Sequence, residues 1–181
     1  VWRVEIRPSL RDLLVYAVDA HSGEIVERYN ATPWDGPATA TAVDLAGVAR
    51  QLQVHAVADS FVLIDGSRPI FALIQPDLLG NPQGALVTLT AGRQDLSRTT
   101  QVDLVISGDN SWDDPVAVSA YTNMGIVFDY FLQTHGRLSI DGVGGSMYSI
   151  IHVTDKGLAM DNAFWSGTFM AYGDGREAFS P

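Results

Sequence analysis

The four histidines, His21, His55, His135 and His152, stand far apart along the chain. None belongs to a His-Glu-x-x-His pair, which would set two imidazoles one helical turn apart with a carboxylate between them, ready for a metal-bound water. Each reads as a surface histidine or as a core histidine whose hydrogen bonds are met. The sequence contains no Gly-x-Ser-x-Gly elbow, no phosphate loop and no dinucleotide fingerprint opening a helix after a strand. It has no cysteine, which excludes thiolate nucleophiles, disulfides and Cys-rich zinc sites. The carboxylates Asp103, Asp109, Asp113 and Asp114 gather around a loop and a helix start. Helix capping accounts for Asp114 and solvation for most of the others; calcium is the further chemistry that such hard oxygen donors allow. No complete catalytic set is present, so no residue is assigned as catalytic and none as a metal ligand, calcium being left open at the aspartates.

One stretch near the end concentrates binding groups instead. "MDNAFWSGTFMAYGDG", residues 160–175, packs aromatic residues, an Asn and a Gly-Asp-Gly turn into a pattern that reads as a hairpin. Phe164, Trp165, Phe169 and Tyr172 could serve simply as aromatic residues of a sheet core. From its residues alone the stretch could be a catalytic segment, a binding edge or only a well-packed hairpin.

The elements that must position these residues are mostly strands. "VWRVEI" alternates apolar and polar residues, and "DLLVYAVDAHSGEIVERYN" gives two runs joined at Ser22-Gly23, a hairpin signal. A fragment of that size must dock on something to be stable. "ATPWDGPATATA", residues 31–42, is rich in Pro, Gly, Thr and Ala and reads as a linker or processing junction. Beyond it, short apolar runs such as "RQLQVHAV", "SFVLID", "GALVTLT" and "QVDLVIS" alternate with turn residues and predict twisted antiparallel sheets. One segment differs. In "DPVAVSAYTNMGIVFDYFLQTHG", Ala117, Ala120, Tyr121, Met124, Phe128 and Phe131 recur at steps of three and four, which predicts an amphipathic helix over about 114–136. Asp114 is placed to cap it, Pro115 to begin it, and Gly136 to close it in the left-handed conformation. The predicted class is α+β and predominantly β, with Gly142, Gly144 and Gly145 marking a tight turn after the helix.

Of 181 residues, 46% are hydrophobic and 18% charged, which describes an ordered globular protein. Eleven Lys and Arg against 21 Asp and Glu give a net charge of −10. Scattered cations on an acidic surface repel phosphate, so neither nucleic acid nor an anionic membrane is an expected partner. No apolar run approaches the length that spans a bilayer.

Taken together, "RQLQV" and "SFVLIDGSRP" (50–69), "GNPQGALVTL" (80–89), "SWDDPVAVSAYTNMGIVFDYFLQTHGRLSIDG" (111–142) and "MDNAFWSGTFMAYGDG" resemble the amino-terminal half of thermolysin-like zinc metalloendopeptidases, the peptidase M4 family. The likeness covers most of residues 36–181. Residues 1–30, with "VDAHSGE", look like the end of that family's PepSY-type propeptide. The resemblance implies three parts: propeptide strands over 1–30, a maturation junction over 31–42, and an amino-terminal β-rich subdomain over 43–181, cut before the zinc-binding helix. The intact parent is then expected to be a secreted, extracellular enzyme that hydrolyses peptide bonds with zinc, its ligands lying beyond Pro181. This chain alone is expected to be inactive.

What the resemblance leaves within the chain is substrate holding. It implies that Asn162 hydrogen-bonds the substrate main chain, Ala163 offers its carbonyl, Phe164 packs beside the cleft and Trp165 braces the strand. Expected partners are a peptide or protein substrate, the missing carboxy-terminal catalytic half, and a second copy associating through the exposed cleft wall. Three departures mark a divergent member: Tyr121 where relatives commonly have His, Leu138 after Arg137 where they have Asn, and Ala40 and Ala42 where Gly is frequent. The alternative is a truncated paralogue that acts as a peptide-binding, inhibitory or interaction module.

Overall fold

The computed structural model describes residues 1–6, 14–30, 36–57, 59–68, 72–73, 82–98 and 101–176. The chain divides into two compact units, one of Val1–Asp35 with Val57–Asp59 and one of Gly36–Ala56 with Ser60–Pro181.

In the first unit, β1 (Trp2–Ile6), β2 (Leu14–Val18) and β3 (Ile25–Asn30) form an antiparallel sheet in that order. The hairpin expected at Ser22-Gly23 joins β2 to β3. Its turn is held by the Asp19 carboxylate, which accepts from the His21 and Ser22 amides at 2.7 and 2.9 Å.

The second unit carries β4 (Gly36–Val43), β5 (Ala49–Val57, except its last residue), β6 (Ser60–Val62), β7 (Ile64–Asp65), β8 (Ala72–Leu73), β9 (Pro82–Gln83), β10 (Leu86–Thr90), β11 (Asp103–Leu104) and β12 (Ile106–Ser107). The helix α1 (Pro115–His135) follows, then β13 (Met147–Asp155), β14 (Leu158–Ala159), β15 (Ala163–Trp165) and β16 (Met170–Gly173). One sheet runs β12-β6-β5-β4; the larger runs β11-β10-β13-β16-β15, with β14 added on β13 and β7 on β10. β8 and β9 pair with each other.

Two features of the strands depart from the sequence expectations. Residues 36–42, read as part of an irregular junction, form most of β4, paired with β5 from Gly36↔Ala56 to Val43↔Ala49. Small residues hid a period of two: Ala40 and Ala42 turn into the core while Thr39 and Thr41 turn to solvent. Residues 31–35 lie outside the described residues. The larger sheet is mixed, since β13 runs parallel to both β10 and β16. Short strands cannot announce their partners, and here α1 supplies the crossover that parallel pairing of β10 with β13 needs.

The helix forms as expected. The Asp114 side chain accepts from the Val116 and Ala117 amides, Pro115 starts the first turn, and Gly136 closes the helix at φ 61°. Ala117, Val118, Ala120, Tyr121, Met124 and Phe128 are buried. The Tyr121 hydroxyl donates to the Gln53 carbonyl of β5 and so ties helix to sheet. Burial, and then the Asp65 charge, push that hydroxyl far above its ordinary pKa. Phe131 is not on the buried face but 42% exposed, because Leu132 takes the inward place four residues after Phe128.

The larger sheet is covered on both faces. Ile151 joins Leu52, Val54, Leu63, Trp112, Val118 and Tyr121 in the core on the helix side. Ile150, Val153, Met160 and Ala171 form the core of the opposite face.

Candidate functional site

β15 is the terminal strand of the larger sheet among the described residues. It pairs with β16 as Ala163↔Tyr172, Phe164↔Ala171 and Trp165↔Met170, giving the expected hairpin. The Asn162 carbonyl accepts from the Gly173 amide at 3.1 Å, and the Ser166 amide donates to the Phe169 carbonyl at 3.0 Å. With main-chain groups alternating along an antiparallel strand, residues 162, 164 and 166 turn toward β16, and Ala163 and Trp165 turn their N–H and C=O away from it. The Ala163 amide is taken by the Asn162 side-chain oxygen at 2.8 Å. That bond fixes the carboxamide and leaves its NH2 group, the Ala163 carbonyl and the Trp165 amide and carbonyl along the open edge.

The aromatic residues sort by position. Phe164 and Trp165 are 38% and 45% exposed. Phe169 and Tyr172 pack against the two cores. The all-core alternative therefore holds for Phe169 and Tyr172 and fails for the two residues on β15. On the Phe164 face, beside the hairpin turn, an apolar cavity of about 450 Å³ is lined by Leu89, Leu96, Val102, Ile150, Thr168 and Phe169.

The hairpin is locked at its base. The Gly175 amide donates to the Met160 carbonyl and the Arg176 amide to the Asp161 carboxylate, at 3.1 and 3.0 Å. Gly173 approaches Met160 so closely that only hydrogen fits there: a β-carbon would stand 1.9 Å from the Met160 carbonyl oxygen.

Beside this base lies a cluster that no sequence motif announces. His152 Nδ1 is 2.5 Å from Asp174 Oδ1, and Nε2 is 2.8 Å from Asp114 Oδ2. Both acceptors are carboxylates, so both ring nitrogens carry hydrogen and the group is an imidazolium. Arg93 Nε adds a contact to Asp174 Oδ2 at 3.4 Å. The hydrogen bond to Asp114 raises the His152 pKa, burial opposes it, and Asp174 and both carboxylate charges add to the rise. Burial alone would lift the Asp114 carboxyl, but the His152 hydrogen bond and charge, with the Ala117 and Val116 amides, hold it below its ordinary value.

The backbone explains how the ring reaches both partners. The β13–β16 register shifts between Ile150 and Val153, and these two residues share one core cluster although they are three apart. His152 lies in the inserted stretch with φ 56°, a bulge that re-aims its side chain. A non-glycine residue there stores strain on the order of 1 kcal/mol or more, which the two charged hydrogen bonds offset. The partners lie 38 and 22 residues away in sequence, so nothing local could have revealed them.

A zinc ion does not fit the described residues. His152 has both nitrogens committed, His55 is buried in β5 with a partner of its own, the His21 side chain is almost fully exposed, and His135 stacks in an exposed aromatic cluster with Tyr130 and Phe131. Among the described residues no three His, Asp or Glu are placed to hold a metal. The four aspartates considered for calcium do not converge. Asp103 lies on β11, Asp109 is spent on Ser107 and the Ser111 amide, Asp113 is exposed, and Asp114 serves the helix cap and His152. No helix among the described residues is long and apolar enough to cross a membrane.

Residues 39–181 match the model of the family described as thermolysin metallopeptidase, catalytic domain. The bacillolysin of Brevibacillus brevis is 32% identical over 89% of this chain and 26% of its own length. The thermolysin of Alicyclobacillus acidocaldarius is 31% identical over 89% of this chain and 29% of its own. The solved precursor of protealysin, a metalloproteinase from Serratia proteamaculans, aligns with 50% of this chain and 27% of its own at 27% identity and a TM-score of 0.42. The chain thus spans between 26% and 29% of the length of these two curated relatives. With a family model matched across residues 39–181, the chain belongs to the thermolysin metallopeptidase family.

Proposed function

We infer that this chain is the substrate-holding, non-catalytic part of a secreted zinc-dependent endopeptidase, and that β15 is the wall against which an extended peptide pairs. The observation that carries the reading is the open edge, where the Ala163 carbonyl, the Trp165 main chain and the Asn162 NH2 group face away from β16. Main-chain pairing gives affinity with little dependence on sequence, and side chains on alternate faces supply preference. Phe164 flanks the peptide on the face of the apolar cavity, and Trp165 on the opposite face.

In a polypeptide of the relatives' length, a zinc ion, when bound, would supply the activated water. The residues here orient the scissile peptide and bring it to a fixed depth, which converts encounter into an intramolecular geometry. Residues 1–30 act as the end of a propeptide, with the maturation junction near Asn30 to Gly36. The same open edge, with Phe164 and Trp165 exposed, accepts a second copy of the chain when peptide is absent.

The test is Asn162→Ala in a polypeptide of the relatives' length. Turnover of a peptide substrate falls while thermal stability is kept. An unchanged rate rejects the edge assignment; a parent that binds peptide and never cleaves it supports the interaction-module alternative instead.

A further inference from the structure

We propose that His152 is a positioning residue for the β15 edge: its imidazolium, held between Asp114 and Asp174, fixes the segment 173–175 that in turn holds Met160 and Asn162. Asp174 lies between the two residues that make those bonds, Gly173 to the Asn162 carbonyl and Gly175 to the Met160 carbonyl. Asp114 belongs to the helix cap. The ring therefore ties the start of α1 to the base of the hairpin, through the bulge in β13 that carries it.

The charged groups on the ring are Asp114 from the helix cap and Asp174 from the segment after β16, with Arg93 from the turn after β10 held on Asp174. The Arg93 amide also donates to the His152 carbonyl at 3.0 Å, so this turn is fixed to the same residue. A neutral imidazole keeps one N–H and must turn a lone pair toward the other carboxylate. Asp114 is fixed by the Val116 and Ala117 amides, whereas Asp174 keeps only the exposed Arg93 besides the ring, so Asp174 is the partner that shifts. Deprotonation then loosens residues 173–175 and, with them, the backbone at Asn162. This rests on β15 being a peptide-binding edge only for its functional consequence; the link itself is a property of the fold.

The experiment is a pH titration of the 181-residue chain followed by NMR, reading the His152 ring nitrogens together with the Met160, Asp161, Asn162 and Ala163 amides. The ring titrates above the ordinary histidine value with both nitrogens protonated, and the four amides move with the same midpoint. Asp174→Asn, and His152→Asn, which tolerates the left-handed backbone, abolish the shared midpoint. In Asp174→Asn, binding of an extended peptide weakens about fivefold, the scale of one hydrogen bond. A ring that titrates at or below the ordinary value, or amides that ignore it, overturns the proposal; the wild-type titration decides this even where a variant does not fold. Amides that follow the ring in a chain that binds no peptide uphold the link and reject the edge.

Discussion

Gly173 and Met160 are in such close contact that a methyl group at position 173 would stand 1.9 Å from the Met160 carbonyl oxygen. The contact lets the Gly173 amide reach Asn162 and sets how far β15 stands from the rest of the sheet. Gly173→Ala must push the Met160 backbone away from β16, at a cost on the order of 1–3 kcal/mol. Thermal unfolding should show that loss, and peptide binding should fall more steeply than stability alone accounts for.

Asn162→Ala removes both the edge NH2 group and the acceptor that holds the Ala163 amide. The helix, the two cores and the hairpin turn do not depend on it. We expect about a tenfold fall in turnover of a peptide substrate by the parent polypeptide, the scale of one substrate hydrogen bond. The melting temperature should stay close to that of the wild type.

The His152 bridge gives stability a defined pH window. The raised His152 pKa means that its contribution is complete below the ordinary value of 6.5 and is lost as pH rises through the folded value. The depressed Asp114 pKa means that its contribution is present above the ordinary 3.8 and is lost as pH falls through the folded value. Melting temperature plotted against pH should therefore form a plateau between these limits. Asp114→Asn keeps an oxygen for the helix cap but removes the charge, so the alkaline limb should move to lower pH with the acid limb flattened.

Phe128 fills the space between α1 and β10, is 2% exposed and lies against Leu86 and Met124. Phe128→Ala should cost about 3–5 kcal/mol of unfolding free energy by denaturant titration. Phe131→Ala, at an exposed position the periodicity had assigned to the core, should cost far less.

The comparison of Phe128 with Phe131 marks how much the sequence could disclose. The helix, its cap at Asp114 and its closing Gly136 were legible because capping and period are local. The β15–β16 hairpin was legible for the same reason, through its turn residues. The parallel pairing of β13 was not, since a strand's direction relative to its neighbour depends on the path between them. β4 was hidden because alanine and threonine give almost no hydrophobic contrast, although they alternate. His152 was hidden most completely, because its role depends on a bulge and on two carboxylates brought from other elements.

The most direct test of the account is amide hydrogen exchange at β15 with and without a saturating extended peptide. Trp165 turns its N–H away from β16, whereas Phe164 turns its own toward Ala171. Peptide pairing should slow exchange at Trp165 by at least about tenfold and leave Phe164 nearly unchanged. Unaltered exchange at Trp165 under conditions where the peptide is bound would contradict the claim that β15 is the binding edge.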